Sequence, residues 1–549
     1  MTCALAACGD NGENEKTKAP EASPPEGAAT ITEADLARHI EVLSSDAFEG
    51  RAPASAGEEK TVAYLKGEFE RMGLQPGNNG SFFQEVPLVS ITADPNTTLS
   101  VSSPAGPMSF AYIEEMMVWT KKVVEHSAIA KSDMVFVGYG IVAPEYGWND
   151  YEGVDVKGKT VIILVNDPGF ATKDPELFKG NTMTYYGRWT YKFEEAARQG
   201  AAGAFVIHQT EPAAYPWEVV SGGWSGEQFD LVRGSDVLLA DIEGWLTHDA
   251  ATKLLAAAGQ DLAALEEEAK TSAFKARELD LKATVAVENT LRRSLSKNVI
   301  ATLPGSEAAD EHFIYMAHWD HLGRDESIEG DQIFNGALDN ASGTAALLEL
   351  AEAFASLKQR PRRSVTFIAL TAEEQGTLGS AYYGENPVIP LAKTVGGLNM
   401  DGLNYYGPTH DITVVGFGMS ELEDQLKISA EKQGRRVEPE GAPEKGYFFR
   451  SDHFELAKQG VPMLYTESGS DVVGKGVAFG VAQKEEYTAE RYHKPTDEFN
   501  KSWILSGGVQ DTQLFFDVGL ALVSGSAWPN WYEGTEFRAI RDQSRQGKE

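Results

Sequence analysis

Cysteine is nearly absent: the 549-residue chain has two, Cys3 and Cys8, both at its N-terminal end. The body of the protein therefore carries no disulfide and no CxxC metal site. Positive charge is scarce as well. Against 48 Lys and Arg stand 82 Asp and Glu, a formal net charge of −34, which argues against nucleic acid and anionic membrane surfaces as partners. Long apolar runs are missing too, since no stretch approaches the ~20 apolar residues a transmembrane helix needs. What is present, 42% apolar and 10% aromatic residues, describes a globular protein, and the length suggests two to four domains.

Chemistry concentrates between His312 and Thr344. An apolar β-rich run, Phe313 to Ala317, ends abruptly in His318-Trp319-Asp320. One imidazole nitrogen there can bind a metal while the neighbouring carboxylate holds the proton of the other. Asp339 lies in GALDNASG, just before a helix-forming run from Ala345 to Phe354, where negative charge is favoured. Two further runs follow the same grammar: Ser364 to Leu370 leads into Glu373-Glu374, and Thr394 to Met400 into Asp401. His493 opens the polar segment HKPTDEF much later. Ligands of open α/β sheets gather at the carboxyl ends of strands. These five groups are too many for one catalytic ion with an open position and, if one carboxylate bridges, suit two zinc ions. Successive residues leaving a strand point different ways, so one of Glu373 and Glu374 can bind metal while the other handles protons. His321, His410 and His453 remain candidates, with the reading as ordinary structural histidines preferred.

The motifs AHWDH, GALDNASG, TAEEQG, NMDG, RSDHF and YHKPTDE, in this order and spacing, resemble the co-catalytic zinc peptidases of family M28, which include bacterial leucyl-type aminopeptidases. The resemblance implies an α/β fold, the zinc-exopeptidase (phosphorylase/hydrolase-like) αβα sandwich with a mixed sheet. It also implies that one zinc is held by His318 and Asp401 and a second by Glu374 and His493, with Asp339 bridging. Glu373 is then the general base acting on a metal-bridging water, Asp320 orients His318, and Tyr492 donates a hydrogen bond to the oxyanion. The implied activity is removal of the N-terminal residue from peptides. A carboxypeptidase, a mono-zinc glutaminyl cyclase and a non-catalytic scaffold are the rival readings; a carboxypeptidase needs a basic pocket, for which Arg450 is the one nominee.

Leu5-Ala6-Ala7-Cys8 resembles a bacterial lipobox, although no Lys or Arg precedes Cys8, and implies a lipid-anchored protein of the cell envelope. Gly9 to Thr30 is polar and Pro-rich, a disordered tether. Helices are expected from Thr32 to about Leu43 and from about Glu58 to Arg71. The run EGR followed by a helix and GLQPG resembles the start of the peptidase domain, which is expected at 31–124 and 291–549. Short strands at Met134 to Tyr139, Thr160 to Val165 and Ala204 to His208, with GYGI and VKGKTVIILVND, resemble a protease-associated (PA) domain inserted at 125–290. It contains no cluster of His and acids, so it is expected to shape the cleft. The remaining expectations are a pocket wall at GYFFRSDHF, a bracing role for Asp497 and an apolar helix from Val509 to Val523.

Overall fold

The computed structural model describes residues 26–234 and 237–546. Cys8 and most of the expected tether lie outside the described residues. The end of that tether belongs to the fold: Ala28–Thr30 form one 3-10 turn with Ala28 buried.

The central sheet is mixed. Strand Ala308–His318 lies between two parallel neighbours, Arg363–Leu370 and Thr394–Asn399, and Met463–Ser468 runs parallel beyond the latter. The C-terminal part of Arg277–Leu303 pairs antiparallel with Arg363–Leu370. Phe313, Tyr315 and Ala317 face one apolar layer, while Ile314 and Met316 face another. A strand buried on both faces needs apolar residues at every position, which explains the unbroken run FIYMA. Helices Glu33–Leu43, Ala56–Arg71, Gly343–Ala355 and Ser506–Ser524 cover the first face. Helices Leu378–Glu385 and His453–Lys458 pack on the second. The architecture is thus an αβα sandwich. Thr32 caps its helix by accepting from the Asp35 amide, as the sequence predicts.

A second sheet is built from Thr98–Ser103, His126–Phe136, Thr160–Leu164, Gly203–His208 and Ile242–Thr247, with the N-terminal part of Arg277–Leu303 as its partner. It has its own apolar cores on two faces. Leu99, Val101 and Phe110 belong to one of them, so this unit gathers strands that precede residue 125. The 27-residue strand Arg277–Leu303 runs through both sheets, although nothing in its sequence marks it as continuous. Among the described residues no helix is long and apolar enough to cross a membrane.

Candidate metal centre and active site

Register places the site. His318 pairs with Leu370, and Met316 with Asn399, so three parallel strands end side by side. Each then releases polar residues at the same edge: His318 itself, Glu373 and Glu374 shortly after Leu370, and Asp401 after Asn399. Asp339 arrives from the loop before helix Gly343–Ala355, and its peptide bond to Asn340 is cis. His493 comes from the far end of helix Val477–Glu490, in the left-handed region at φ +55°. Non-glycine residues held there are characteristic of sites over-determined by their surroundings.

The six side chains converge. His318 Nε2 is 3.2 Å from Asp401 Oδ1 and 3.3 Å from Asp339 Oδ1. The other oxygen of Asp339, Oδ2, is 3.3 Å from His493 Nε2, which lies 3.0 Å from Glu374 Oε2. Asp339 therefore presents one carboxylate oxygen to each half of the cluster. One donor atom each from His318, Asp339 and Asp401 lies within 4.8 Å of the others, and the same holds for His321, Asp339 and Glu374. Imidazole and carboxylate at such separations fit divalent cations with N/O preference.

His321 also reaches the cluster, a histidine for which the sequence favours an ordinary structural reading. Its Nδ1 sits 2.6 Å from Glu374 Oε1, opposite His493, and its Nε2 is buried without a partner among the described residues. The signal for it is the second histidine of AHWDH itself. Gly336 makes room for it: a Cβ there would come 2.6 Å from the His321 ring and 2.2 Å from the Asp339 carbonyl oxygen. His410 and His453 stand apart, His453 buried against the Phe448 and Tyr465 rings.

Supporting residues tie the loops together. The carboxylate of Asp320 reaches His318 only at the long end of an ion pair. That carboxylate lies 3.8 Å from His318 Nδ1, whose nearer partner is the Asp320 carbonyl at 3.2 Å. The carboxylate oxygens instead accept from the amides of Glu373 at 3.1 Å and Glu374 at 3.4 Å, because they sit where that turn exposes two unpaired N–H groups. Asp497 accepts from the amides of Leu338 and Asp339 and so braces the Asp339 loop, not His493. Asn340 links the Asp339 and Asp401 loops, donating to the Met400 carbonyl and accepting from Gly402 N–H. Ser451 donates to Asp401 Oδ2 at 2.8 Å. Tyr492 stacks on His493, ring centroids 3.9 Å apart, and is 46% exposed.

Arg51, the arginine of EGR, is the buried cation beneath these loops. It donates to the carbonyls of Trp319, Leu43, Asn335 and Gly336 at 2.7–2.9 Å. Burial pulls its pKa down to about 10, against the pull of Asp320 and Asp339, so it stays charged at neutral pH.

Burial and crowding set the protonation of the cluster. Burial pushes Glu373 well above the usual carboxylate range; His318 opposes that and Asp401 adds to it. Burial likewise lifts Asp320 and Asp452 to about 7. Burial opposes charge on His493, but Asp339 and Glu374 outweigh it and raise its pKa to about 10. Asp339 is held well below its ordinary value by His318 and His493 in spite of burial. Glu373 is thus the carboxyl of the pair most able to carry a proton, and Glu374, flanked by two imidazoles, the one most able to bind a cation.

The model of Peptidase family M28 matches residues 298–515, the span that holds every one of the converging side chains. Aminopeptidase NAALADL1 of Mus musculus is 35% identical over 122 residues, 21% of this chain and 15% of the mouse protein. A probable zinc metalloprotease of Pyricularia oryzae is 37% identical over 105 residues, 19% of this chain and 20% of its own length. The matches therefore span a fifth or less of these relatives. Among solved structures, the aminopeptidase from Aneurinibacillus sp. strain AM-1 superposes with a TM-score of 0.49 at 19% identity, covering 92% of this chain and 97% of that one. BSAP, a zinc aminopeptidase from Bacillus subtilis, gives 0.40 at 18% identity over 93% and 98%.

Proposed function

Residues 298–515 belong to peptidase family M28, and from that premise we propose that the protein is a di-zinc aminopeptidase that removes the N-terminal residue of peptides. The observation that carries the proposal is Asp339: one of its oxygens is 3.3 Å from His318 and the other 3.3 Å from His493, the disposition of a carboxylate shared by two ions. His318 and Asp401 would complete one ion's shell, and Glu374 and His493 the other's. His321 stands behind Glu374 to fix its orientation, as partners of ligating carboxylates do. Two bound zinc ions supply a water acidic enough to ionise near neutral pH and a Lewis acid for the scissile carbonyl.

The remaining work falls to the chain. Glu373, whose Oε2 lies 4.0 Å from His318 Nε2, takes the proton of the attacking water and passes it to the departing amine. Asp320 fixes the Glu373-Glu374 turn through its two amide contacts, so that the proton acceptor and the ligand keep separate directions. Tyr492 sits beside His493 with its hydroxyl free to donate to the substrate oxygen as charge develops there. The acids clustered around Glu373, with Asp339 held ionised among them, favour a substrate end that carries a positive α-amino group. Lipid on Cys8 would hold the enzyme at the cell envelope, an attachment that mass spectrometry of the native N-terminus reads directly.

The test is hydrolysis of leucine arylamide by zinc-loaded protein, with loss of activity on N-acetylation of the substrate or on chelation. Equal cleavage of the N-acetylated compound, or release of residues from the C-terminus, overturns the assignment.

A further inference from the structure

A cleft of about 990 Å³ opens between the two sheets' units and borders the site: Gln375, one residue after Glu374, and Arg450, one before the Asp401 partner Ser451, both line it. Its opposite wall comes from the inserted unit, with Trp189, Tyr215 and Trp224 among its aromatic faces. The volume is that of a pocket for a small ligand.

The charges in this cleft do not balance. Its acids are each satisfied: Glu194 by Arg198 and Lys458 at 3.7 Å, Asp230 and Glu385 by Arg233, Glu455 by Lys458 at 2.8 Å, and Glu536 faces Lys179 at 4.0 Å. Arg188 has no such partner. It is 7% exposed, it lines the cleft, and its side chain has neither an ion pair nor a hydrogen bond among the described residues, with Nε buried and unsatisfied. Arg450 shares the deficit. One of its terminal nitrogens donates to the Lys445 carbonyl at 2.7 Å, yet its Nε is buried and unpartnered and it meets no carboxylate among the described residues. The two guanidinium groups are close enough to repel: burial and then Arg450 lower the pKa of Arg188, to about 10. A buried guanidinium with no partner, Arg188, beside a partly buried one that meets no carboxylate among the described residues, Arg450, is costly unless something anionic neutralises the pair. Planar forks of N–H donors match a carboxylate bidentately.

We propose that this cleft receives the leaving part of the substrate and that Arg188 and Arg450 bind a carboxylate there, so that the preferred substrates are short peptides with an acidic side chain or a free C-terminus beyond the cleaved bond. The proposal rests on the peptidase reading above and names its substrate class. It gives the molecule a polarity: carboxylates around Glu373 at the amino end, guanidinium groups at the far end. Arg188 lies in the inserted unit, so this unit takes part in selecting the substrate instead of merely covering the site.

Two substrate pairs separate the sources of the carboxylate. Leu-Glu-amide against Leu-Gln-amide reads a side-chain carboxylate, and Leu-Ala against Leu-Ala-amide reads the C-terminal one. The wild-type enzyme should favour the charged member of at least one pair by about ten- to a hundredfold in kcat/KM, the worth of one or two charge-assisted hydrogen bonds, with the difference in KM. Arg188→Gln should bring that ratio to about one, Arg188→Lys should keep part of it, and the uncharged member reports in each variant that the site is still assembled. A wild-type ratio near one in both pairs, or a ratio that Arg188→Gln leaves unchanged, overturns the proposal. If zinc-loaded wild type cleaves neither these peptides nor leucine arylamide, the peptidase reading has failed. Calorimetry with glutarate then decides the anion site alone: binding that Arg188→Gln weakens at least tenfold supports it, and absence of binding overturns it.

Discussion

Replacing Arg51 by Met tests whether the metal-site loops are held from beneath by one buried cation. The side chain is 1% exposed and hydrogen-bonds to four main-chain carbonyls drawn from three separate segments. Methionine fills similar space and donates nothing. Gly336 would keep the Ala341 amide as a second partner, which leaves the carbonyls of Leu43, Trp319 and Asn335 without this donor. A buried polar group deprived of its partner costs about 1–3 kcal/mol, so the three together predict a loss of about 3–9 kcal/mol, the scale of a broken buried network. At about 2–4 °C per kcal/mol, the figure for domains of about 150–250 residues, the melting temperature of Arg51→Met should fall by roughly 6 °C or more. Arg51→Lys should lie between, since an ammonium has three donors and no planar fork. Thermal melts followed by circular dichroism at fixed zinc concentration measure this. A variant that melts within ~2 °C of wild type refutes the reasoning.

Glu373→Gln should retain both zinc ions by elemental analysis while kcat falls by about 10²- to 10⁴-fold; near-normal turnover would mean that the roles of Glu373 and Glu374 are exchanged. Asp339→Asn weakens the one carboxylate shared by both halves of the cluster, so metal content and activity should drop together after dialysis, and a variant retaining two ions per chain contradicts the bridging role. His453, buried between aromatic rings, is held neutral, its pKa lowered by burial from 6.5 to about 3. The unfolded chain therefore binds one more proton than the native state between those values, and stability falls as pH drops from about 6.5 towards 3 by up to ~1.4 kcal/mol per pH unit from this residue. His453→Phe should flatten the acid limb of a plot of melting temperature against pH by that one proton; an unchanged limb shows that His453 is not a source of acid lability.

These residues are legible in the sequence to different degrees. The strands carrying His318, Glu373, Glu374 and Asp401 announce themselves because a strand buried on both faces must be apolar throughout, and a sudden polar residue at its end then stands out. Asp339 is legible from the helix that follows it. His493 stands out only as the histidine of a polar loop with no periodicity, and its assignment to a metal comes through the resemblance. The contacts of Asp320 and Asp497 are hidden because they are with main-chain amides, and nothing in a side chain's identity says which amides a turn leaves unpaired. Arg188 is invisible for another reason. It and Arg450 are separated by more than 260 positions, and what sets Arg188 apart is a missing partner, which only a three-dimensional account of its neighbours reveals. The stretch from Glu278 to Glu288 alternates buried and exposed residues, which is a legible strand signal, whereas from Asn289 to Leu295 the alternation is lost and nothing in the sequence marks the strand as continuous.

That strand has a mechanical consequence. Residues 289–299 pair with Phe83–Ala93, whose other edge carries Glu227–Leu231, so a hydrogen-bonded ribbon, not a pair of flexible linkers, joins the walls that carry Arg188 and Arg450. Linkers hinge freely, whereas a hydrogen-bonded ribbon resists bending in its plane and yields mainly by twisting about its long axis. Any widening of the cleft is then a torsion that moves both walls in opposite senses and returns elastically. The distance between the amino-end carboxylates and the far-end guanidinium groups is therefore kept by the backbone like the gap of a caliper, and the length of peptide that fits is set before a substrate arrives.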